Sequence, residues 1–174
     1  MDHADHVNLL RNGIPGPGGV WADFGAGTGA FTLALAELLG PGAEIYAIDR
    51  DAAALRTNER ATHSQFPSTM VDHRVADFTE PLNLPPLDGI VLANALHFQR
   101  DQAAVVALIR GYLRPGGHLL LVEYNIVHGN VAVPHPVPFR RWQELARLAG
   151  FTDTELLATR PSRFLREIYS AAAW

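Results

Sequence analysis

Apolar positions along the chain fall into short runs of strand length that alternate with stretches of helical period, the pattern of βαβ units and a parallel sheet. Gly19 to Phe24 reads as a first strand, and a helix over about Ala30–Leu39 follows it with Phe31, Ala34, Leu35 and Leu38 on one face. Gly40-Pro41 ends that helix. Glu44–Asp49 is a second strand, Asp51 caps a helix to about Thr62, and Met70–Val75 alternates as a third strand. Gly89–Asn94, apolar throughout until its last residue, fits a central strand covered on both faces. Asp101 caps a helix that puts Val105, Leu108, Ile109 and Tyr112 on one side. Arg114–Gly117 reads as a turn before a fifth strand, His118–Tyr124. A long loop with three prolines, Asn125–Pro138, leads to a helix over Phe139–Ala149 that Gly150 closes. Two last β-like stretches, Thr154–Ala158 and Phe164–Ser170, lie close enough to form an antiparallel pair.

The pattern predicts an α/β fold: a Rossmann-like, seven-stranded, mostly parallel sheet with helices on both faces and a C-terminal antiparallel β-hairpin. The 174 residues suit a single domain over 1–174, with 1–18 a short N-terminal segment in which Val7–Leu10 forms one short helix at most. No internal repeat or low-complexity tract interrupts it.

Composition narrows the chemistry. With no cysteine, disulfides, thiolate metal sites and a cysteine nucleophile are excluded. Eight histidines are present, but none has metal-ligand spacing on a predicted helix, so no metal is expected. The N-terminus lacks the pattern of a signal peptide and no apolar run reaches membrane-spanning length, which predicts a cytoplasmic protein without a membrane partner. A net charge of −4, with every basic residue an arginine, argues against a general nucleic-acid binder.

The candidate chemistry starts at Asp23-Phe24-Gly25-Ala26-Gly27-Thr28-Gly29, between the first strand and first helix. Glycines there let the backbone turn sharply and approach a ligand, and the helix N-terminus favours an anionic group. Gly25, Gly27 and Ala30 also satisfy the loose dinucleotide pattern. Asp49 ends the second strand, where a carboxylate accepts from ribose hydroxyls. That spacing suits NAD and S-adenosylmethionine equally. Two features separate them. Asp23 in the loop would repel a pyrophosphate and attract the ammonium of a methionine moiety, and a terminal hairpin is foreign to a plain dinucleotide fold.

These residues resemble the class I S-adenosylmethionine-dependent methyltransferases. Asp23-x-Gly25-x-Gly27-x-Gly29 is similar to the family's first motif and Asp49 to its second. Ala76-Asp77-Phe78 is similar to the adenine-contacting segment, and Leu113-Arg114-Pro115-Gly116-Gly117-His118-Leu119 to the Pro-Gly-Gly turn before the fifth strand. The resemblance implies a cofactor-binding set of Asp23, Gly25, Ala26, Gly27, Gly29, Asp49, Arg50, Asp77, Phe78 and Asn94. The Gly25–Gly29 backbone would hold the methionine end with Asp23 near its ammonium. Asp49 would take the ribose, Asp77 the adenine amino group and Phe78 the adenine ring. Asn94-Ala95-Leu96-His97-Phe98 departs from the Asn-Pro-Pro-aromatic signature of methylases acting on nucleic acid bases or glutamine, which points to a small-molecule acceptor. The short N-terminal segment implies an open site or one covered by a second copy in a homodimer.

Methyl transfer asks the protein mainly to bind, align and exclude water, with a general base where the nucleophile carries a proton. His97, just past the fourth strand, is the candidate base, against the alternative of a histidine packed on Phe98 and hydrogen-bonded. Tyr124, His128 and Arg163 are the candidate acceptor contacts, and His135 is weighed with them as a loop residue. Other readings stay open: an NAD(P)-dependent oxidoreductase, a non-catalytic subunit that binds the cofactor beside a partner, and a methyltransferase whose open site admits RNA or protein.

Overall fold

The computed structural model describes residues 1–162 and 164–174. Seven strands form one sheet in the order β3-β2-β1-β4-β5-β7-β6. They are β1 (Val20–Phe24), β2 (Glu44–Asp49), β3 (Met70–Val75), β4 (Leu87–Ala93), β5 (Leu113–Tyr124), β6 (Thr154–Ser162) and β7 (Arg166–Ala173). The first five run parallel, β7 is antiparallel to β5, and β6 is antiparallel to β7. The expected architecture is therefore present. The chain winds outward from β1 through β2 to β3, then crosses back to place β4 on the other side of β1. That reversal opens a crevice beyond the carboxyl ends of β1 and β4, the usual ligand position in such sheets.

Alternation along each strand divides the core. Ala22, Phe24, Ile48, Ile90 and Leu92 face α4 (Gln102–Arg110) and α5 (Phe139–Ala149), where they meet Val106, Ile109, Trp142 and Leu145. Trp21, Ile45, Val91, Leu120 and Val122 face α1 (His3–Leu10) and α2 (Ala30–Leu39), with Leu9, Leu10, Phe31 and Leu35. Leu55 of α3 (Ala52–Gln65) packs on Ala26 and Ala47. Both faces are covered, so the central strands are apolar throughout.

Several boundaries differ from the sequence pattern. The N-terminal helix spans eight residues. Asp2 accepts from the Asp5 amide at 2.9 Å while Asp5 accepts from the Asp2 amide at 3.2 Å, a reciprocal cap. Val7, Leu9 and Leu10 are buried, and Arg160 of β6 reaches Asp5 at 2.6 Å. This helix is thus part of the core. The turn at Arg114–Gly117 lies within β5: Leu113 pairs with Leu87, and the register shifts before His118 pairs with Gly89. Tyr112 falls outside α4, and its hydroxyl accepts from the Leu82 amide at 2.8 Å. α3 runs on to Gln65. β6 extends to Ser162, and β7 is displaced to Arg166–Ala173 because Ala171, Ala172 and Ala173 pair with Leu121, Leu120 and Leu119.

The docking of α1 can be tested directly. Leu9 is fully buried, so Leu9→Ala should destabilise the protein by about 2–5 kcal/mol, read as a fall in the urea midpoint at unchanged slope. A loss below about 1 kcal/mol would mean that α1 is not packed as described.

Candidate functional site

The loop after β1 is shaped by backbone constraint. Gly25 and Gly29 both adopt positive φ, 74° and 99°. A Cβ on Gly25 would lie 2.8 Å from the Ala95 Cβ, and one on Gly29 would lie 2.6 Å from Asn58 Oδ1. Neither position accommodates a larger residue without strain. The loop is pinned to β2, since the Gly25 and Ala26 amides both donate to the Ile48 carbonyl, at 2.8 and 3.0 Å. Asp49 continues that joint: Oδ2 accepts from the Gly27 amide and Oδ1 from the Asp51 amide, each at 2.8 Å. Gly29 stands at the N-cap of α2 and offers no side-chain cap, whereas Asp51 and Asp101 cap α3 and α4. The first amides of α2 therefore keep their affinity for an external acceptor.

A cleft of about 210 Å³ opens at this switch point, lined by Gly25, Asp49, Arg50, Ala76, Asp77, Phe78, Asn94, Ala95, Phe98 and Gln99. Six of the expected cofactor residues meet there: Gly25, Asp49, Arg50, Asp77, Phe78 and Asn94. Asp77 Oδ1 accepts from the Thr79 hydroxyl at 2.7 Å and amide at 2.9 Å, which hold its carboxyl below the usual range. Phe78 stacks on Phe24 with centroids 6.0 Å apart and planes 15° from parallel. Asn94 sits in the left-handed region at φ 51°, and its amide donates to the Val122 carbonyl at 2.8 Å. Its Oδ1 is buried with no partner among the described residues. Asn94 therefore stands at the cleft wall with a buried, unpaired acceptor, in a conformation that asparagine tolerates.

Ala26, Gly27 and Gly29 shape the loop but do not line the cleft. Asp23 does not line it either. Strand alternation turns its side chain away from the crevice onto α2, where it is 1% exposed and accepts from Thr32 Oγ1 at 2.6 Å. Thr32 in turn accepts from Asn58 Nδ2 at 2.8 Å, and Asn58 Oδ1 meets His73 Nε2 at 3.2 Å. Burial pushes the Asp23 carboxyl up to about 7 against the lowering effect of Thr32. From that position it does not present the fixed anion expected beside an ammonium group, nor does it supply the repulsion expected to exclude a pyrophosphate.

His97 is 2% exposed. Its Nδ1 meets Glu123 Oε2 at 2.7 Å, and its backbone amide donates to Glu123 Oε1 at 3.1 Å. Its ring lies 4.2 Å from that of Phe98 and 6.5 Å from that of Tyr124. The histidine is thus both packed and hydrogen-bonded, and it belongs to a dyad. Glu123, fully buried at the end of β5, was missed by sequence reasoning. The signal was present: one acid in the otherwise apolar run Leu119–Glu123 requires a buried partner. Ala95 and Gln99 of the cleft wall carried no such signal.

Tyr124 is half-buried beside His97, and burial pushes its hydroxyl up. His128 is exposed in the loop after β5 and does not line the cleft. His135 contributes backbone: its amide donates to the His97 carbonyl at 3.0 Å and its carbonyl accepts from Gln102 at 2.8 Å. Arg163, a candidate acceptor contact, lies outside the described residues. Among the described residues no group of acidic and imidazole side chains is arranged to hold a metal, and no helix is long and apolar enough to cross a membrane.

Residues 22–119, more than half of the chain, match the family model described as a methyltransferase domain. The chain belongs to that family. Among curated proteins it is 27% identical over 161 residues to a reducing polyketide synthase (grgA) of a Penicillium species, covering 79% of this chain and 6% of that protein. It is 38% identical over 117 residues to acetylserotonin O-methyltransferase of Mus musculus, covering 60% of this chain and 28% of that protein. The chain thus spans a small part of the curated relatives it matches. Among solved structures, Burkholderia thailandensis 1,6-didemethyltoxoflavin-N1-methyltransferase, with its substrate and S-adenosylhomocysteine bound, superposes with a TM-score of 0.76 at 22% identity. That alignment covers 99% of this chain and 79% of the other.

The Asp23 carboxyl sets a pH dependence. Its folded-state pKa, about 7, lies above its ordinary 3.8, so the folded protein holds the proton more tightly than the unfolded chain does. Its contribution to stability is complete below pH 3.8 and is lost as pH rises through about 7. Asp23→Asn, which keeps an acceptor for Thr32, should remove that part of the decline, measured as urea midpoints between pH 5 and pH 8. An unchanged slope would show that Asp23 is ionised throughout.

Proposed function

We propose that this chain is an S-adenosylmethionine-dependent methyltransferase for a small-molecule acceptor. The observation that carries the reading is the switch-point cleft in which Gly25, Asp49, Asp77, Phe78 and Asn94 converge, in a chain whose family is that of methyltransferase domains. Asp49 is preoriented by two backbone amides and keeps lone pairs for a ribose diol. Asp77 stands ready for the adenine amino group and Phe78 for the ring. Asn94 Oδ1 and the uncapped N-terminus of α2 serve the methionine end, as acceptor for its ammonium and donor to its carboxylate.

S-adenosylmethionine, when bound, supplies an electrophilic methyl group on a sulfonium. The chain's part is alignment, exclusion of water and removal of the acceptor's proton. His97 is the base of this reading. The Glu123 carboxylate can only accept, so it fixes the proton on Nδ1 and leaves Nε2 with its lone pair. Among the described residues the ring is hydrogen-bonded through Nδ1, and its neighbours Ala95 and Phe98 line the cleft, although His97 itself does not. As the acceptor's new bond to carbon forms and the carbon–sulfur bond breaks, its proton passes to Nε2. Glu123 then faces an imidazolium and stabilises it. The cytoplasm is the location this reading assigns, and the absence of cysteine is compatible with it.

Asp49→Ala should weaken S-adenosylhomocysteine binding by at least about tenfold, close to 1.4 kcal/mol, whereas His97→Gln should leave it within about twofold, both by calorimetric titration. Turnover should fall by about 10² to 10⁴ in His97→Gln, as for loss of a general base. Equal losses of affinity in the two variants would show that one of these residues is misplaced.

A further inference from the structure

A second cavity lies at the other end of the sheet, beside the start of β5 and the amino ends of the parallel strands. It has a volume of about 240 Å³, and its walls include Arg110, Leu113, Arg114, Gly116, Phe151 and Trp174. The cavity exists because the strand ladder is interrupted there. Leu113 pairs with Leu87 and His118 with Gly89, so Arg114–Gly117 bulge out between the two pairs. An adjoining cavity of about 410 Å³ shares Arg114 and Gly116 and reaches Trp21, Asp88 and His118. Together they offer the room of an ordinary small-molecule site. Charge sets the first cavity apart. The chain carries a net charge of −4, yet the charged side chains that line this cavity, among the described residues, are two arginines and no acid. Arg114 is bridged to Asp88, a wall of the adjoining cavity. Among the described residues no carboxylate lies within ion-pair distance of Arg110. The Arg110 guanidinium lies over the ring of Phe151, 5.3 Å from its centroid, and Phe151 is buried, so the cation rests on a fixed aromatic wall. Trp174 forms a second wall. Its ring stacks on His118 with centroids 5.6 Å apart, and its carbonyl accepts from the Thr152 amide at 2.7 Å and hydroxyl at 2.8 Å.

We propose that this cavity is a second ligand site, and that it takes a small aromatic carboxylate whose charge meets Arg110 and whose ring lies against Trp174. An arginine laid on an aromatic face still offers the edge of its planar fork to a carboxylate. Arg114 adds positive charge on the same wall, although Asp88 takes part of it. The ring gains offset or edge contacts with Trp174 and apolar contact with Leu113. Such a ligand is not the methyl acceptor. β4 runs from Leu87 beside this cavity to Ala93 at the cleft, a distance on the order of 15–20 Å along the strand. The two sites can therefore be filled at once, and the second one does not depend on what the cleft binds.

The test is a calorimetric titration of the full chain with 2-naphthoate and with its neutral counterpart, 2-naphthamide. The carboxylate should bind one-to-one and at least about tenfold more tightly than the amide, as a charge-assisted contact requires. Its affinity should stay within about twofold when S-adenosylhomocysteine is present at saturation. Arg110 is exposed in the last turn of α4, so Arg110→Gln should leave the urea midpoint unchanged while weakening 2-naphthoate by at least about fivefold. Arg110→Lys, which keeps the charge and loses the fork, should fall between that variant and the wild type. Arg56→Gln, at an exposed arginine of α3 that does not line the cavity, should bind as the wild type does. No binding of 2-naphthoate at millimolar concentration would overturn the site. So would equal binding of acid and amide, displacement by S-adenosylhomocysteine, or equal effects of Arg110→Gln and Arg56→Gln.

Discussion

The joint between the glycine loop and β2 is the constraint from which the rest of the site follows. One carbonyl, that of Ile48, receives the amides of both Gly25 and Ala26, and the Asp49 carboxylate receives that of Gly27. These bonds hold the chain in a left-handed turn that only glycine adopts without cost. Because the turn is tight, Gly25 approaches Ala95 and Gly29 approaches Asn58, so α2, α3 and the segment after β4 are drawn up to the loop. The cleft is the space left between these elements. Asp49 is a structural acceptor for the loop and also lines the cleft.

On the other side of the cleft the organising group is Glu123. A buried carboxylate is costly unless its oxygens are satisfied. Here one oxygen takes the His97 ring and the other takes the His97 backbone amide. The two bonds tie the turn after β4 to the end of β5. Below it, the loop Asn125–Pro138 is docked by the His135 amide on the His97 carbonyl and by the Tyr169 hydroxyl on the Val137 carbonyl, at 2.6 Å. The two halves of the site thus have different supports: a backbone joint for the proposed cofactor side and a buried histidine–carboxylate hydrogen bond for the proposed acceptor side.

Much of this was legible in the sequence where one local signal decided the outcome. A strand-length apolar run bounded β2 and alternation bounded β3 as observed, and Gly40 and Gly150 ended α2 and α5 as glycines past a helix do. Where tertiary pairing overrides a weak propensity, the reading fell short. Ala171–Ala173 read poorly as a strand, yet they are held between β5 and β6. The Arg114–Gly117 segment has turn chemistry, and Leu113 still pairs ahead of it. Asp49, Asp77, Phe78 and Asn94, expected from spacing, strand position and the family resemblance, all line the cleft. Asp23, expected beside them, is turned onto α2 instead, a placement that depends on which face of β1 meets that helix. Glu123 is the converse case, since its partner lies 26 residues away and only the β4–β5 pairing brings them together.

The most direct measurement is a pair of calorimetric titrations of the purified chain, one with S-adenosylhomocysteine and one with NADH. A methyltransferase cleft should give saturable one-to-one binding of S-adenosylhomocysteine and none of NADH. Binding of NADH alone would contradict it, because the cleft formed by Asp49, Asp77 and Asn94 would then hold a dinucleotide.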